Sequence, residues 1–549
     1  MNFHPESLNS GWFSQNNFKI MSEHFDVLDM NNYRVEKLKK IEKKGFERWM
    51  ELLGGPLAIA VFLLIYYFSN ISFIENIRPE QLTDEALARF KQIGGESFVR
   101  INYAMLAIFA ASIILWITEA IPNYLTSLFV IITMVLTGVT TENNAYAQLG
   151  HPVMWLNILS FILASMLVTT RVAKRFALWF VLRFGKNATW IFISFIVINV
   201  VLSIFISATT AKATILLPIF MVIAAIYGAT SDKRNNFGRN IVLQNLFQIN
   251  IGASGFITGS GANLLAGSLI AGALGSSMFG FQEWFFAAFP LCILLIIIGW
   301  IVGTRIIFPL KPEERIPQIE GGMKRLKEEY DSLGKMTLNE YKSIAIFVVV
   351  LILWATDKQH GISQTAVAFM GAVVALLPGI GVVKWNDVDI PWHLMIFSAG
   401  AYTLGAGLDV TDLPAVMVDS MLNHFGINAS TPFWMLYLGL TFIMLFSGML
   451  FQSKTMRALI FVPIAIGVAQ KFGYPVMSLA FPVALLIEHV YVLPFNSKPS
   501  ALLYTTNHYS MTDSFKFGFT MMVISWVMII VWGETMLHWL GHTPNGVFF

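Results

Sequence analysis

Apolar runs of about 14 to 25 residues recur from residue 51 to residue 541, and runs of that length cross a hydrocarbon core of roughly 30 Å as helices. The pattern predicts spans at 51–68, 101–118, 122–140, 152–170, 240–275, 284–303, 343–356, 364–383, 393–408, 476–508 and 516–541, eleven in all. Two further apolar stretches, 188–228 and 433–470, are about twice as long as a span. Each is interrupted at its middle by polar residues, SATTAK (207–212) and QSKTMR (452–457). Both read as re-entrant hairpins, because irregular backbone at membrane depth is tolerated only where protein or a water-filled cavity covers it. Pattern alone also admits two ordinary spans joined by a short loop in each case. The expected fold is an all-α polytopic membrane protein.

Charge in the flanking segments favours the hairpins. Segment 171–187, RVAKRFALWFVLRFGKN, carries five Lys or Arg and no acid, and 229–239 adds Lys233, Arg234 and Arg239; both read as cytoplasmic. The first also has the character of an interfacial amphipathic helix. Its counterpart before the second stretch, 408–426, has three aspartates and no Lys or Arg, which reads as external. The same element order with inverted charge is the mark of inverted-topology repeats, whose site lies near the midplane where broken helices from the two halves meet.

This divides the chain into a cytoplasmic tail (1–50), a first span and external loop (51–98), repeat 1 (99–303), a charged cytoplasmic linker (304–342), repeat 2 (343–541) and an external C-terminal tail (542–549). The expected location is the cell (inner) membrane, with the N-terminus cytoplasmic; no secretory h-region precedes the first span. Only 13% of the 549 residues are charged and 56% are hydrophobic, which excludes a soluble enzyme with one anchor. The lone cysteine, Cys292, offers neither a disulfide framework nor a thiolate metal site. No H-E-x-x-H, G-x-S-x-G or P-loop pattern occurs, so an enzyme is the least favoured class. A carrier and an anion channel both remain, and a nucleic-acid partner is not expected.

After each hairpin a span is broken by small and polar residues, ITGSGANLLAG (257–267) in the first half and LPFNSKPSALLY (493–504) in the second. Hairpin tips and breaks expose helix ends, whose free N–H groups attract anions while unwound carbonyls and hydroxyls can coordinate a cation. The tips carry Ser207, Thr209, Thr210, Ser453 and Thr455; the breaks add Ser260, Asn263, Asn496, Ser497 and Ser500. These groups suit carboxylate or sulfate oxygens, or the shell of a desolvated sodium ion. Lys454 and Arg457 are harder to explain, since a cation at the bilayer centre costs roughly 2.5 to 3.5 kcal/mol and needs a compensating anion. Counted back from Pro463 and Pro218, they match Thr209 and Lys212, and Lys498 adds another cation. The expected counter-ion is Glu488, beside His489, a pair that also offers a route for protons.

The segment WITEAIPNYLTSLFVIITMVLTGV (116–139) resembles the W-x-T-E-A-I-P segment of the divalent anion:sodium symporters, carriers of di- and tricarboxylates and sulfate. The hairpin tips fall where that family has paired Ser-Asn-Thr motifs, and GSGAN (259–263) and NSKPS (496–500) fall at its second pair of breaks. The resemblance covers roughly residues 100–541. It implies a homodimer in the lipid bilayer, with a scaffold and a mobile transport domain that carries a small organic anion by an elevator motion. It also implies substrate contacts at the tips and breaks and a sodium site near Ser207, Gly259 and Asn263. Neither motif asparagine is present: the first tip reads Ser207-Ala208-Thr209, or Ala208-Thr209-Thr210 when counted from Pro218, and the second Ser453-Lys454-Thr455. A lysine in the second sodium region repels sodium and can supply its charge permanently. No other cofactor is expected, and the reading favours exchange or proton linkage, with sodium-coupled symport as the alternative.

The inverted arrangement has a direct check. Single cysteines placed in the 229–239 and 471–475 loops are expected to react with impermeant maleimide from opposite faces of the membrane. Labelling of both from one face would contradict it.

Overall fold

The computed structural model describes residues 26–34, 46–275, 279–319, 321–388, 390–414, 416–417, 431–451 and 453–548. Among these every regular element is helical. The chain enters through α1 (Phe46–Leu63), α2 (Asp84–Ile93), α3 (Gly95–Thr118), α4 (Asn123–Leu136) and α5 (Pro152–Thr169). It continues with α6 (Val172–Phe184), the helix pair α7 (Ala188–Phe205) and α8 (Thr209–Ile226), then α9 (Asn236–Ser254), α10 (Gly261–Ala273) and α11 (Phe281–Ile301). Past the linker helix α12 (Gly322–Ser332) come α13 (Leu338–Ala355), α14 (Gln364–Leu376) and α15 (Trp392–Thr411). A second helix pair, α16 (Phe433–Ser447) and α17 (Lys454–Lys471), is followed by α18 (Val476–Leu485), α19 (Lys498–Tyr504) and α20 (Met511–Glu534). Most of the acidic counterpart of α6, expected over 408–426, lies outside the described residues.

Among the described residues eight helices are long and apolar enough to cross a membrane: Arg48–Phe68, Gly95–Thr118, Glu142–Thr169, Thr209–Ile226, Phe281–Ile307, Leu338–Ala355, Trp392–Thr411 and Met511–Trp539. The chain is a multi-pass integral membrane protein. Four of the expected spans differ from single long helices, each for a local reason. The 122–140 span stops at α4, because Gly138 turns with a φ of 75°. The 364–383 span stops at Leu377, ahead of Pro378, which cannot continue a helix, and Gly379, with a φ of 78°. Spans 240–275 and 476–508 are broken, by residues 255–260 and 486–497 respectively. WITEAIP forms the corner between α3 and α4: Glu119 ends α3 in the left-handed conformation, Pro122 opens α4, and buried Trp116 packs edge-on against Phe397, centroids 5.5 Å apart.

The helices pack in two groups. In one, α4 lies along α15 and α1 along α3, with α5 against α14 and α14 against α13. In the other, α9 is wrapped by α7, α8 and α11, and α17 by α18 and α10. The second group is cross-linked between halves: α10 packs on α17, and α8 packs on α19. The helix beyond each break therefore rests on the helix pair of the other half, which brings the four polar interruptions to one place. Ahead of the first span, Asp26–Arg34 packs on α8, and Asp26 forms a 3.0 Å ion pair with Arg325 of α12.

Two glycines allow the interruptions to close up. A Cβ on Gly259 would lie 2.1 Å from the Ala253 carbonyl oxygen, and one on Gly448 would lie 2.3 Å from the His489 carbonyl oxygen. Both obstacles are backbone and cannot swing away. Gly259→Ala and Gly448→Ala are expected to lose about 1 to 3 kcal/mol each, seen as a lower thermal midpoint of the purified protein in detergent. Gly439→Ala, where a Cβ meets nothing within 4 Å, is expected to leave the midpoint unchanged or raise it.

Candidate functional site

The turn of the first helix pair is Ile206-Ser207-Ala208, and α8 starts at Thr209 with no side-chain cap, because Ala208 has none to offer. The N–H groups of the first turn of α8 are thus not met by a capping side chain. The other three helices that start at an interruption are capped by serine hydroxyls. Ser453 accepts from Met456 N–H (3.3 Å), Ser260 from Asn263 N–H (3.2 Å) and Ser497 from Ser500 N–H (3.3 Å). Each such cap contributes about 1 kcal/mol to its helix. The sequence folds this way because serine competes with the helix for its own backbone and so starts helices rather than continuing them.

The four interruptions meet at Glu488. Its side chain is fully buried and lies in the break between α18 and α19. Ser260, at the other break, donates its hydroxyl to Glu488 Oε1 at 2.5 Å. Lys454, first residue of α17, forms an ion pair with Glu488 Oε2, and its ammonium also reaches Thr209 Oγ1 at 3.5 Å. One carboxylate and one ammonium thus connect both helix-pair turns and both breaks. The ammonium side chain is 12% exposed, the carboxylate 0%. Ser207, Thr210 and Thr455 flank these groups in sequence and are half-buried. Beside Ser207 lies a cavity of about 10 Å³, lined also by Ser160, Thr258, Phe347 and Trp354. That is room for roughly one water.

The two fully buried cations near the interruptions, Arg457 and Lys212, are held by serine hydroxyls and backbone carbonyls. Arg457 is fully buried, and its Nε donates to Ser447 Oγ at 3.1 Å. Its guanidinium donates to the carbonyls of Met444 and of Ile487 (2.8 Å), with longer contacts to Leu486 and His489. These oxygens belong to the last turn of α16 and to the stretch just past α18, the negative ends of two helices. Lys212 repeats the device in the first half. Also fully buried, it donates to Ser203 Oγ (2.9 Å) near the end of α7 and to the Ile249 carbonyl (3.3 Å) of α9. Each cation thus ties a serine of its own helix pair to the broken span that follows. Sequence reasoning missed Ser203 and Ser447. Their signal is a serine nine or ten residues before a buried cation, across a turn.

The amides are structural too. Asn496 accepts from Leu493 N–H (2.8 Å) and donates to the Met449 carbonyl (3.1 Å), joining the second break to the second turn. Asn263 donates to the carbonyls of Ala253 (2.9 Å) and Phe256 (3.0 Å), while its Oδ1 is buried without a hydrogen-bond partner. The hydroxyls of Ser160 and Thr258 are likewise buried and unpartnered. Ser500 shares a 2.7 Å hydrogen bond with Ser497 and donates to the Val490 carbonyl. His489 is buried, with neither ring nitrogen partnered, and its ring tilts against Tyr491 at 5.8 Å. Lys498 stands apart: its side chain is exposed, 3.5 Å from His393 Nε2, because the first residue of α19 points away from the buried cap.

Comparison with known proteins places this helical membrane fold among transport proteins. The chain belongs to the sodium:sulfate symporter family: the Sodium:sulfate symporter transmembrane region matches residues 97–543, which include all four interruptions. A protein of Staphylococcus saprophyticus named sodium-dependent dicarboxylate transporter SdcS is 24% identical over 516 residues, 90% of this chain and 92% of that one. Its namesake in Staphylococcus aureus is 24% identical over 438 residues, 76% of this chain and 82% of that one. A Cupriavidus necator membrane protein is 25% identical over 459 residues, 80% and 87% of the two chains.

The two kinds of cation should separate experimentally. Arg457→Met strands several buried carbonyls and is expected to destabilise the protein by roughly 3 kcal/mol, lowering its thermal midpoint in detergent. Lys498→Ala, at an exposed site, is expected to stay within about 0.5 kcal/mol of the parent. Equal midpoints for the two variants would contradict the backbone role of Arg457.

Proposed function

We propose that the protein is a secondary carrier of small di- or tricarboxylate anions, and that Lys454 supplies permanently the positive charge that a sodium ion supplies at that turn in the family pattern. The observation that carries this reading is the meeting of Lys454, Thr209, Ser260 and Glu488. An ammonium and hydroxyls from both halves surround one carboxylate, beside the uncapped start of α8. A substrate carboxylate fits at the ammonium and Ser260, and a second one at Thr209, Thr210 and the free N–H groups of α8. Lys212 lies behind this group, held by the Ser203 hydroxyl and the Ile249 carbonyl. The dicarboxylate named for the staphylococcal relatives agrees with this choice of substrate class.

On this reading the two halves are inverted repeats, and the α7–α8 and α16–α17 pairs are re-entrant hairpins. The group built on α9 and α17 moves against the group built on α4 and α15 as an elevator. The protein works as a homodimer in the inner membrane, with its N-terminus cytoplasmic and its C-terminus external. Transport runs by exchange or with protons. A second reading, sodium-coupled symport, is favoured by different observations. Asn263 Oδ1, Thr258 Oγ1 and Ser160 Oγ are buried and unpartnered around the first break, near Ser207 and Gly259, and such oxygens suit a desolvated sodium ion. The staphylococcal relatives are named sodium-dependent.

Uptake of labelled succinate, citrate, tartrate and sulfate into proteoliposomes decides between them. Uptake of one or more of the carboxylates is expected, unchanged when potassium or choline replaces sodium. Lys454→Asn is expected to lose about 1.5 to 3 kcal/mol of substrate affinity, roughly ten- to hundredfold, unless sodium rescues it. Uptake by the unmodified protein that rises steeply with sodium would favour the second reading.

A further inference from the structure

Glu488 occupies the position that the carrier reading assigns to the substrate. Its carboxylate takes the Ser260 hydroxyl with one oxygen and the Lys454 ammonium with the other. It is not held by a helix: it projects from the unwound stretch between α18 and α19. Two carboxylates cannot both stay ionised at one ammonium in a water-poor site, because their repulsion drives one to take a proton.

The neighbours of Glu488 limit which other group could relieve that conflict. From α17 it faces Lys454 and, one turn further on, Arg457, which is committed to the carbonyls of Met444 and Ile487. From α8 the charge within reach is Lys212, committed to Ser203 and the Ile249 carbonyl. From α10 it faces the uncharged Ser260. Beside it in sequence, His489 is buried with both ring nitrogens unpartnered. The thiol of Cys292 on α11 lies behind Lys212. Arg457 is held by the carbonyls of two helix ends and Lys212 by the Ser203 hydroxyl and the Ile249 carbonyl, whereas the Lys454–Glu488 pair can open without stranding a helix end.

We propose that Glu488 is a tethered stand-in for the substrate carboxylate and the proton-coupling group of the carrier. This rests on the carrier reading above. A proton from solution adds to the Glu488 carboxylate, giving the neutral acid, and the ion pair to Lys454 breaks. A carboxylate of the incoming dianion then takes the ammonium and the Ser260 hydroxyl. On the other side the substrate leaves, the proton leaves Glu488, and the ion pair re-forms. One proton accompanies each dianion, and Lys454 keeps its charge throughout. The empty carrier returns with that pair neutral, which permits net uptake as well as exchange.

The test uses the full-length protein in proteoliposomes, with labelled succinate as probe, at pH values well above the titration range of its carboxyl groups. Three fluxes are read: succinate–succinate exchange at constant pH, net succinate uptake under an inward proton gradient with the membrane potential clamped at zero, and internal pH during that uptake. The unmodified protein is expected to exchange. It is also expected to accumulate succinate up to about tenfold per pH unit of gradient, with the interior acidifying in step. Whatever its rate, exchange by Glu488→Gln is expected to be flat with pH, and its net uptake to ignore the gradient. Exchange by the unmodified protein with net uptake that moves no protons would overturn the proposal and leave the carrier reading standing. The same pH profile in Glu488→Gln as in the parent would also overturn it. An unmodified protein that exchanges none of the four anions tested above would overturn the carrier reading and the proposal together. The proton measurement on the unmodified protein stands even if the variant fails to fold.

Discussion

Everything at the centre of this protein depends on one constraint: a helix broken inside a membrane leaves N–H and C=O groups that no solvent can satisfy. The chain breaks helices at four places and brings all four together, so the ends must be met by protein. Serines cap three of the N-termini, Asn496 stitches the second break to its turn, Asn263 spans the first break, and Arg457 closes the carbonyl ends of α16 and α18. Arg457 suits this task because its planar fork of donors can serve several oxygens at once, whereas a lysine would serve fewer. Seen this way, most of the polar residues in the apolar stretches are the cost of having breaks at all.

Lys454 and Glu488 are different in kind. Taking an ammonium and a carboxylate out of water costs several kcal/mol per ion, and their attraction only offsets it when the geometry is good. Apolar residues of similar size could fill the space at least as stably. Their presence is therefore better explained by what they can exchange than by what they hold. The contrast with Arg457 is internal to α17: three residues apart, one cation is fully buried among backbone oxygens and the other faces a neighbouring carboxylate and hydroxyl.

Much of this was legible in the residue pattern. Long apolar runs gave the helices, and Gly-Ser-Asn and Asn-Ser-Lys-Pro clusters gave the breaks, because these residues start and stop helices locally. Glu488 could be named as the partner of Lys454 because it is the lone acid in a long apolar segment. The roles of Arg457, Lys212 and Asn496 could not be read, because their partners are backbone oxygens that no residue letter advertises. Lys498 read as a site cation from its neighbours, but the helical turn it opens sends it outward. The shortness of α4 and α14 had a signal, Gly138 and the Pro378-Gly379 pair, which a count of apolar residues passes over.

The two halves use the same parts in the same order, and α8 rests on α19 as α10 rests on α17. A perfectly matched pair of halves would give a site with the same chemistry at both ends. Here one helix-pair turn presents Thr209, Thr210 and an uncapped helix start, while the other presents Lys454 behind a capped one. The first offers dipoles and hydroxyls and the second a full charge, so on the carrier reading the two ends respond differently to protonation and to competing ions. On the carrier reading only the end that carries a full charge needs a built-in carboxylate when nothing is bound; Glu488 comes from that same half of the chain while taking its second hydrogen bond, from Ser260, from the other. That shared bond makes the state of the charged end felt at the break of the opposite half, which is the physical requirement for the two halves to act as one site.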